Sequence, residues 1–259
     1  MTDEAVLLTD RVDAVLVLTL NRPAARNALS PALINALSDS LQGAADDGDV
    51  RAVVITGAGE KAFCAGMDLR AFSEARESGN TDMGSFDALT WFHKGDFPKP
   101  VVAAVNGPAV AGGFELVLSC DLVVAAEHAT FGLSEVKRAL FPAGGGTTLS
   151  ARIPLAIAME LGLTGDAIDA ARAQAVGLVN RVVTAHELMD TAMELASKIA
   201  ANGPVAVQVT KRLLREAALL DPQRGWASPD DIARVFTSED AAEGAKAFVE
   251  KRPPEWRGR

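Results

Sequence analysis

A chain of 259 residues, 49% hydrophobic and 23% charged, carries enough apolar surface for one substantial core and falls among ordinary globular proteins. Its net charge of −9 excludes nucleic acid and anionic membrane as principal partners, but leaves room for an anionic small molecule held by a few local cations. Two cysteines, Cys64 and Cys120, are too few for a disulfide framework and read as buried thiols; with no basic leader and no 18-residue apolar run, the expected setting is a soluble cytoplasmic enzyme.

Residues 12–20 are β-rich and partly alternating, and Asn21-Arg22-Pro23 ends the run. Ser30-Pro31 reads as an N-cap followed by proline at the first helical position. Leu33, Ile34, Leu37 and Leu41 then recur at helical spacing to about Ala45. Residues 51–56 form a short, nearly continuous apolar strand of the kind buried on both faces, and the pattern returns at 101–105 and 122–126. Helical segments lie between these strands, which predicts an α/β core with largely parallel strands. From about His186 the pattern is helical: 187–201, then 205–219, then two shorter stretches to Val249. The loosest segments are 77–85 and 221–229.

Several motifs fail on inspection. Thr56-Gly57-Ala58-Gly59 follows a strand like a dinucleotide fingerprint, but Phe63-Cys64-Ala65-Gly66 comes next instead of a long helix. Ser134 and Lys137 have the spacing of a serine–lysine hydrolase without its companion motifs. Gly144-Gly145-Gly146-Thr147 lacks the lysine of a P-loop, and the three histidines have no metal-ligand spacing, so no metal is expected.

Two segments can supply an oxyanion hole: residues 63–69, after one buried strand, and Gly112-Gly113, after another. Amides at helix starts point outward unpaired, and glycine lets a ligand oxygen approach. The same glycines would also serve a bare strand-to-helix turn. Near them stand two carboxylates, Glu115 on a strand–turn–helix and Glu135 opening a second short segment, able together to run acid–base chemistry on a carbonyl compound. For Glu135 the competing reading is a helix-start acid with Ser134 as its cap.

These residues carry a resemblance to the crotonase (enoyl-CoA hydratase/isomerase) superfamily. The matching pieces are residues 20–29 (Leu-Asn-Arg-Pro-Ala-Ala-Arg-Asn-Ala-Leu), 62–69, 105–116, Cys120-Asp121 and 131–135, followed by 163–166, 175–179 and 247–251. They run in the family's order over nearly the whole chain. The resemblance implies an α/β spiral of ββα units in two near-perpendicular sheets over about residues 1–200. A helical region, 201–259, would then build trimers, often paired into hexamers, and contact CoA.

It further implies an acyl-CoA thioester as substrate, with CoA entering as part of that substrate and no other cofactor. The amides of Met67 and Gly112 would hold the thioester oxygen. Ala24, Arg26, Ala62, Ala65, Gly66, Asp68, Leu69 and Arg70, with Gly113, would line the CoA and substrate groove. Phe248 and Lys251 match positions near the CoA, reached from a neighbouring subunit. Glu115 would orient and deprotonate water and Glu135 would give a proton to C2, making the expected enzyme a reversible hydratase of trans-2-enoyl-CoA. An isomerase moving the double bond between C3 and C2, a thioester hydrolase and a non-catalytic CoA-binding subunit are the alternatives. Ser134 stands where typical hydratases carry proline, and Lys137-Arg138 where they carry apolar residues; both cations are expected to face outward.

Overall fold

The computed structural model describes residues 5–68, 88–219 and 228–259, without the side chains of residues 248 and 249. The chain opens with a hairpin, β1 (Leu7–Val12) antiparallel to β2 (Val15–Leu20), turning at Asp13 with φ 53°. The single strand expected over 12–20 is therefore corrected: Val12 closes β1, and only its partner begins at Val15. All of β1 after Leu7 is exposed, so its sequence lacks the apolar alternation that marks a half-buried strand.

Helix α1 (Pro31–Asp46) starts as expected, with the Ser30 hydroxyl accepting from the Leu33 amide and proline in the first turn. There follow β3 (Ala52–Gly57), the short helix α2 (Thr90–Lys94), β4 (Val101–Val105), β5 (Ala109–Val110) and α3 (Gly112–Ser119). Next come β6 (Leu122–Ala126), β7 (Thr130–Gly132), two 3-10 turns (Glu135–Arg138 and Gly146–Ala151), α4 (Leu155–Thr164), β8 (Ile168–Asp169), α5 (Ala170–Ala175) and β9 (Arg181–Val183). The rest is helical: α6 (Leu188–Ala200), α7 (Pro204–Leu219), α8 (Pro229–Phe236) and α9 (Glu239–Glu250).

The described residues form two sheets. The larger runs β1-β2-β3-β4-β6-β9, parallel from β2 onward, and the smaller runs β5-β7-β8. Isolated parallel bridges, Cys64 to Ala109 and Leu29 to Met67, extend the smaller layer. Four of the six large-sheet strands are thus followed by a short excursion into the second layer: β2 leads to Leu29, β3 to Cys64, β4 to β5, and β6 to β7. This repetition brings the loops that leave those strands side by side, which is how distant sequence segments come to share one site.

The continuous apolar strands are buried on both faces because different layers cover each face. Val53 and Ile55 of β3, with Val101, Ala103 and Val105 of β4, pack into the core shared with α1 and α3. Ala52, Val54, Val102 and Ala104 point the other way, onto Ala192, Ala196 and Ala200 of α6. Those alanines recur every four residues, so α6 presents a shallow face that can lie close to the sheet.

The helical end is anchored through Asp121, which accepts from the Val101 amide (2.8 Å) and pairs with Lys211 and Arg215 of α7 (2.8 Å each). The tail folds back as well: buried Asp240 accepts from the amides of Arg257 (2.6 Å) and Gly258 (2.9 Å), and Arg51 donates to the Trp256 carbonyl (2.8 Å).

One glycine pair tests this packing. A Cβ on Gly113 would sit 2.2 Å from the Cys64 carbonyl oxygen, whereas one on Gly43, in α1, meets nothing within 4 Å. Gly113→Ala is expected to lower stability by more than about 2 kcal/mol, and Gly43→Ala to raise it by about 0.5–1 kcal/mol, as read from denaturation midpoints in one buffer.

Candidate active site

The site is built on α3 and on the 3-10 turn that follows β7. Helix α3 begins from Ala111, whose backbone lies at φ 53°, ψ −128°, a strained conformation for a residue with a Cβ, costing about 1–3 kcal/mol. Its amide is tied to the Gly132 carbonyl at 2.8 Å, so the strained turn is held from the neighbouring strand. The turn leaves the Gly112 amide at the helix start without an acceptor among the described residues.

The Met67 amide is free in the same sense. Residues on either side of it bind Leu29, through Leu29 N–H to Gly66 O (2.8 Å) and Asp68 N–H to Leu29 O (3.1 Å), so the Met67 N–H faces away. The two segments lie very close. A Cβ on Gly66 (φ 84°) would stand 2.9 Å from the Val110 carbonyl oxygen and 3.1 Å from the Gly112 nitrogen; one on Gly112 would lie 3.7 Å from the Met67 nitrogen. The structure therefore brings together the two amides assigned to an oxyanion hole.

Glu115, one turn into α3, is only 6% exposed. Its Oε1 accepts from the Gly146 amide at 2.9 Å, and a Cβ on Gly144 would approach its Oε2 to 2.7 Å. The glycine run that is no P-loop thus forms a close-fitting cradle for a carboxylate. Burial raises the Glu115 pKa above its ordinary value, the Gly146 amide opposes the rise, and the negative charge of Glu135 adds to it.

Glu135 opens its 3-10 turn with both carboxyl oxygens buried and no hydrogen-bond partner among the described residues. Burial raises its pKa, opposed only by its own backbone amide. Ser134 makes no capping hydrogen bond, so the helix-cap reading of this pair loses its support. Lys137 faces outward as expected, pairing with Asp166 at 2.6 Å. Arg138 is exposed but also lines the cavity into which the glutamates face.

That cavity, about 1890 Å³, extends along α7. Met67, Gly112, Glu115 and Glu135 line it, as do Arg26 and Ala65 of the expected groove. Ala24 is exposed on the turn at Pro23–Ala25, while Ala62 and Gly66 are buried; none of the three lines the cavity. Gly113, expected in the groove, instead packs on Cys64. Asp68 pairs with Arg22 at 2.9 Å, bracing the two groove loops. Lys251 is exposed at the end of α9 and does not line the cavity. Leu69, Arg70 and the side chain of Phe248 lie outside the described residues.

Three contributors escaped the sequence reading. Buried Asn27 donates to the carbonyls of Ala58 (3.0 Å) and Ala62 (2.9 Å), while Asn106 accepts from the Gly57 amide (3.1 Å) and donates to Gly59 O (2.8 Å). Both asparagines fall in the quoted motifs, and their invitation to turn geometry was the available signal. His93 of α2 also lines the cavity; its Nδ1 lies 2.7 Å from Ser119 Oγ, which donates to the Glu115 carbonyl (2.8 Å). That network assigns the proton to Nδ1, and burial lowers the His93 pKa to about 4, leaving Nε2 as an acceptor. Nothing local to its sequence signals that role.

A family model described as enoyl-CoA hydratase/isomerase matches residues 10–259. An enoyl-CoA hydratase of Mycobacterium tuberculosis is 41% identical over 97% of this chain and 96% of its own length. A carnitinyl-CoA dehydratase of Proteus mirabilis is also 41% identical, over 99% of each chain. The crystal structure of an enoyl-CoA hydratase from Bacillus anthracis superposes with a TM-score of 0.87 at 37% identity, covering 98% of this chain and 100% of that one.

The raised carboxyl groups make a pH prediction. An acid whose folded pKa is raised binds its proton more tightly in the native state; its stabilisation is complete below the usual 4.5 and is lost as pH rises through the folded value. Glu135→Gln removes that loss. At pH 8 the variant is expected to unfold at a higher denaturant concentration than the parent, with the gap closing towards pH 4; a gap of the same size at both pH values would contradict the assignment.

Proposed function

The chain belongs to the enoyl-CoA hydratase/isomerase family, and on that premise we propose that it adds water, reversibly, across the C2=C3 bond of a trans-2-enoyl-CoA thioester. The observation that carries this reading is a pair of buried carboxylates on one cavity that Met67 and Gly112, whose amides have no acceptor among the described residues, also line. Isomerisation can work with one carboxylate; hydration uses two.

In this reading the thioester oxygen accepts from the Met67 and Gly112 amides. Glu115, fixed by the Gly146 amide, takes a proton from water as its oxygen attacks C3. The electron pair of the double bond moves toward C2 and the thioester oxygen, and protonated Glu135 delivers its proton to C2. The step starts from one proton held by the pair; burial raises both pKa values, and the charge of Glu135 adds to the rise at Glu115, the direction that favours keeping that proton. Oxyanion donors contribute about 3–4 kcal/mol each to barrier lowering, so the paired amides are a large part of the rate.

CoA arrives with the substrate, and the mechanism calls on no separate cofactor. The same groups run the reverse reaction, loss of water from a 3-hydroxyacyl thioester, the direction in which the Proteus relative is named. We place the enzyme in cytoplasmic fatty acyl-CoA metabolism of the β-oxidation type, as a trimer or a dimer of trimers. Exposed apolar side chains such as Leu163, Phe141 and Phe236 support self-association.

The test follows the ultraviolet absorbance of the conjugated thioester in crotonyl-CoA and a longer trans-2-enoyl-CoA. Wild type is expected to consume it, and Glu115→Gln and Glu135→Gln to lose about 10²–10⁴-fold in kcat with CoA binding retained. A wild type that binds CoA but leaves the absorbance unchanged would overturn hydration.

A further inference from the structure

The two cations after Glu135 are separated by the structure. Lys137 is engaged outside the cavity by Asp166. Arg138 lines the cavity and has no hydrogen bond or ion pair among the described residues. Glu135 and Arg138 open and close one 3-10 turn. In such a turn side chains three apart eclipse one another, so both leave the backbone on the same side.

Hydration of an aliphatic enoyl group has no use for a cation here. Water attack needs a base and C2 needs an acid, and a guanidinium bonded to Glu135 would strip the acid of its proton. Arg138 makes no such bond: both Glu135 oxygens are without a partner. The guanidinium bonds neither glutamate, and it is a planar fork of five donors suited to a carboxylate. Ser134, on the same wall, has its hydroxyl free of any capping bond.

Resting on the hydratase reading, we infer that Arg138 selects substrates whose acyl chain ends in a carboxylate, an ω-carboxylated 2-enoyl-CoA, over an uncharged acyl group of the same length. With the thioester oxygen at Met67 and Gly112 and the CoA side at Arg26 and Ala65, the chain beyond C3 passes the turn that carries Glu135 and Arg138. The positive charge also disfavours an acyl group that bears a cation.

Binding of hexanedioyl-CoA, hexanoyl-CoA and free CoA is measured by calorimetry on the full chain, for wild type, Arg138→Leu and Arg138→Lys. None of these ligands has the C2=C3 bond, so the result is independent of turnover, and failure of hydration is read separately from crotonyl-CoA. Wild type is expected to bind hexanedioyl-CoA at least about tenfold more tightly than hexanoyl-CoA. The ratio should fall to about one in Arg138→Leu and stay intermediate in Arg138→Lys. No preference in wild type would overturn the inference. Equal weakening of all three ligands in Arg138→Leu would also overturn it, by assigning the guanidinium to the CoA phosphates.

Discussion

The hydrogen bond from the Gly146 amide to Glu115 Oε1 is the contact on which the site depends. It fixes one oxygen of a buried carboxylate at 2.9 Å, while the other lies against Gly144. It exists because a side chain at 146 would collide with Pro142 at 2.5 Å and Leu133 at 2.9 Å, and one at 144 with Glu115 itself at 2.7 Å. The same economy recurs across the cavity. Gly113 lets α3 rest on the Cys64 backbone, and Gly66 lets the Met67 segment rest on the start of α3. The position of both amides and of Glu115 is thereby set by backbone against backbone, which is more rigid than side-chain packing.

Glu135 is held differently. It has a buried carboxyl group without a partner, a cost that a protein accepts where the group has a task. Two chemically similar side chains thus sit in different surroundings, one cradled by a backbone amide and one unsatisfied, and burial raises the pKa of both. In the proposed mechanism that contrast separates the base from the acid within a single cavity. The strained Ala111 backbone belongs to the same arrangement, since it starts the helix with the Gly112 amide lacking an acceptor among the described residues and Gly112 lining the cavity.

Much of this was legible in the chain. The apolar runs of β3, β4 and β6 and the Ser30-Pro31 start of α1 depend on near neighbours, and periodicity and capping chemistry report near neighbours well. Strand β1 was invisible because an exposed edge strand has no buried face to leave an alternating pattern. The glycines of 144–146 were visible, but their job was not, since it is defined by a carboxylate 31 positions away. His93 was unreadable for the same reason, since a helix residue acquires meaning only from the cavity it borders; Arg138 was expected to face outward, and it is exposed while also lining that cavity. Asn27 and Asn106 stood in quoted motifs, yet their role as staples between groove loops requires the stacking of successive sheet crossings.

The measurement that bears most directly on the account is a crystal structure with butyryl-CoA, a saturated thioester that the enzyme cannot hydrate. The thioester oxygen is expected about 3 Å from both the Met67 and Gly112 nitrogens, with C2 and C3 beside Glu135 and Glu115. A thioester oxygen bound elsewhere, or an acyl chain directed away from the two glutamates, would contradict it.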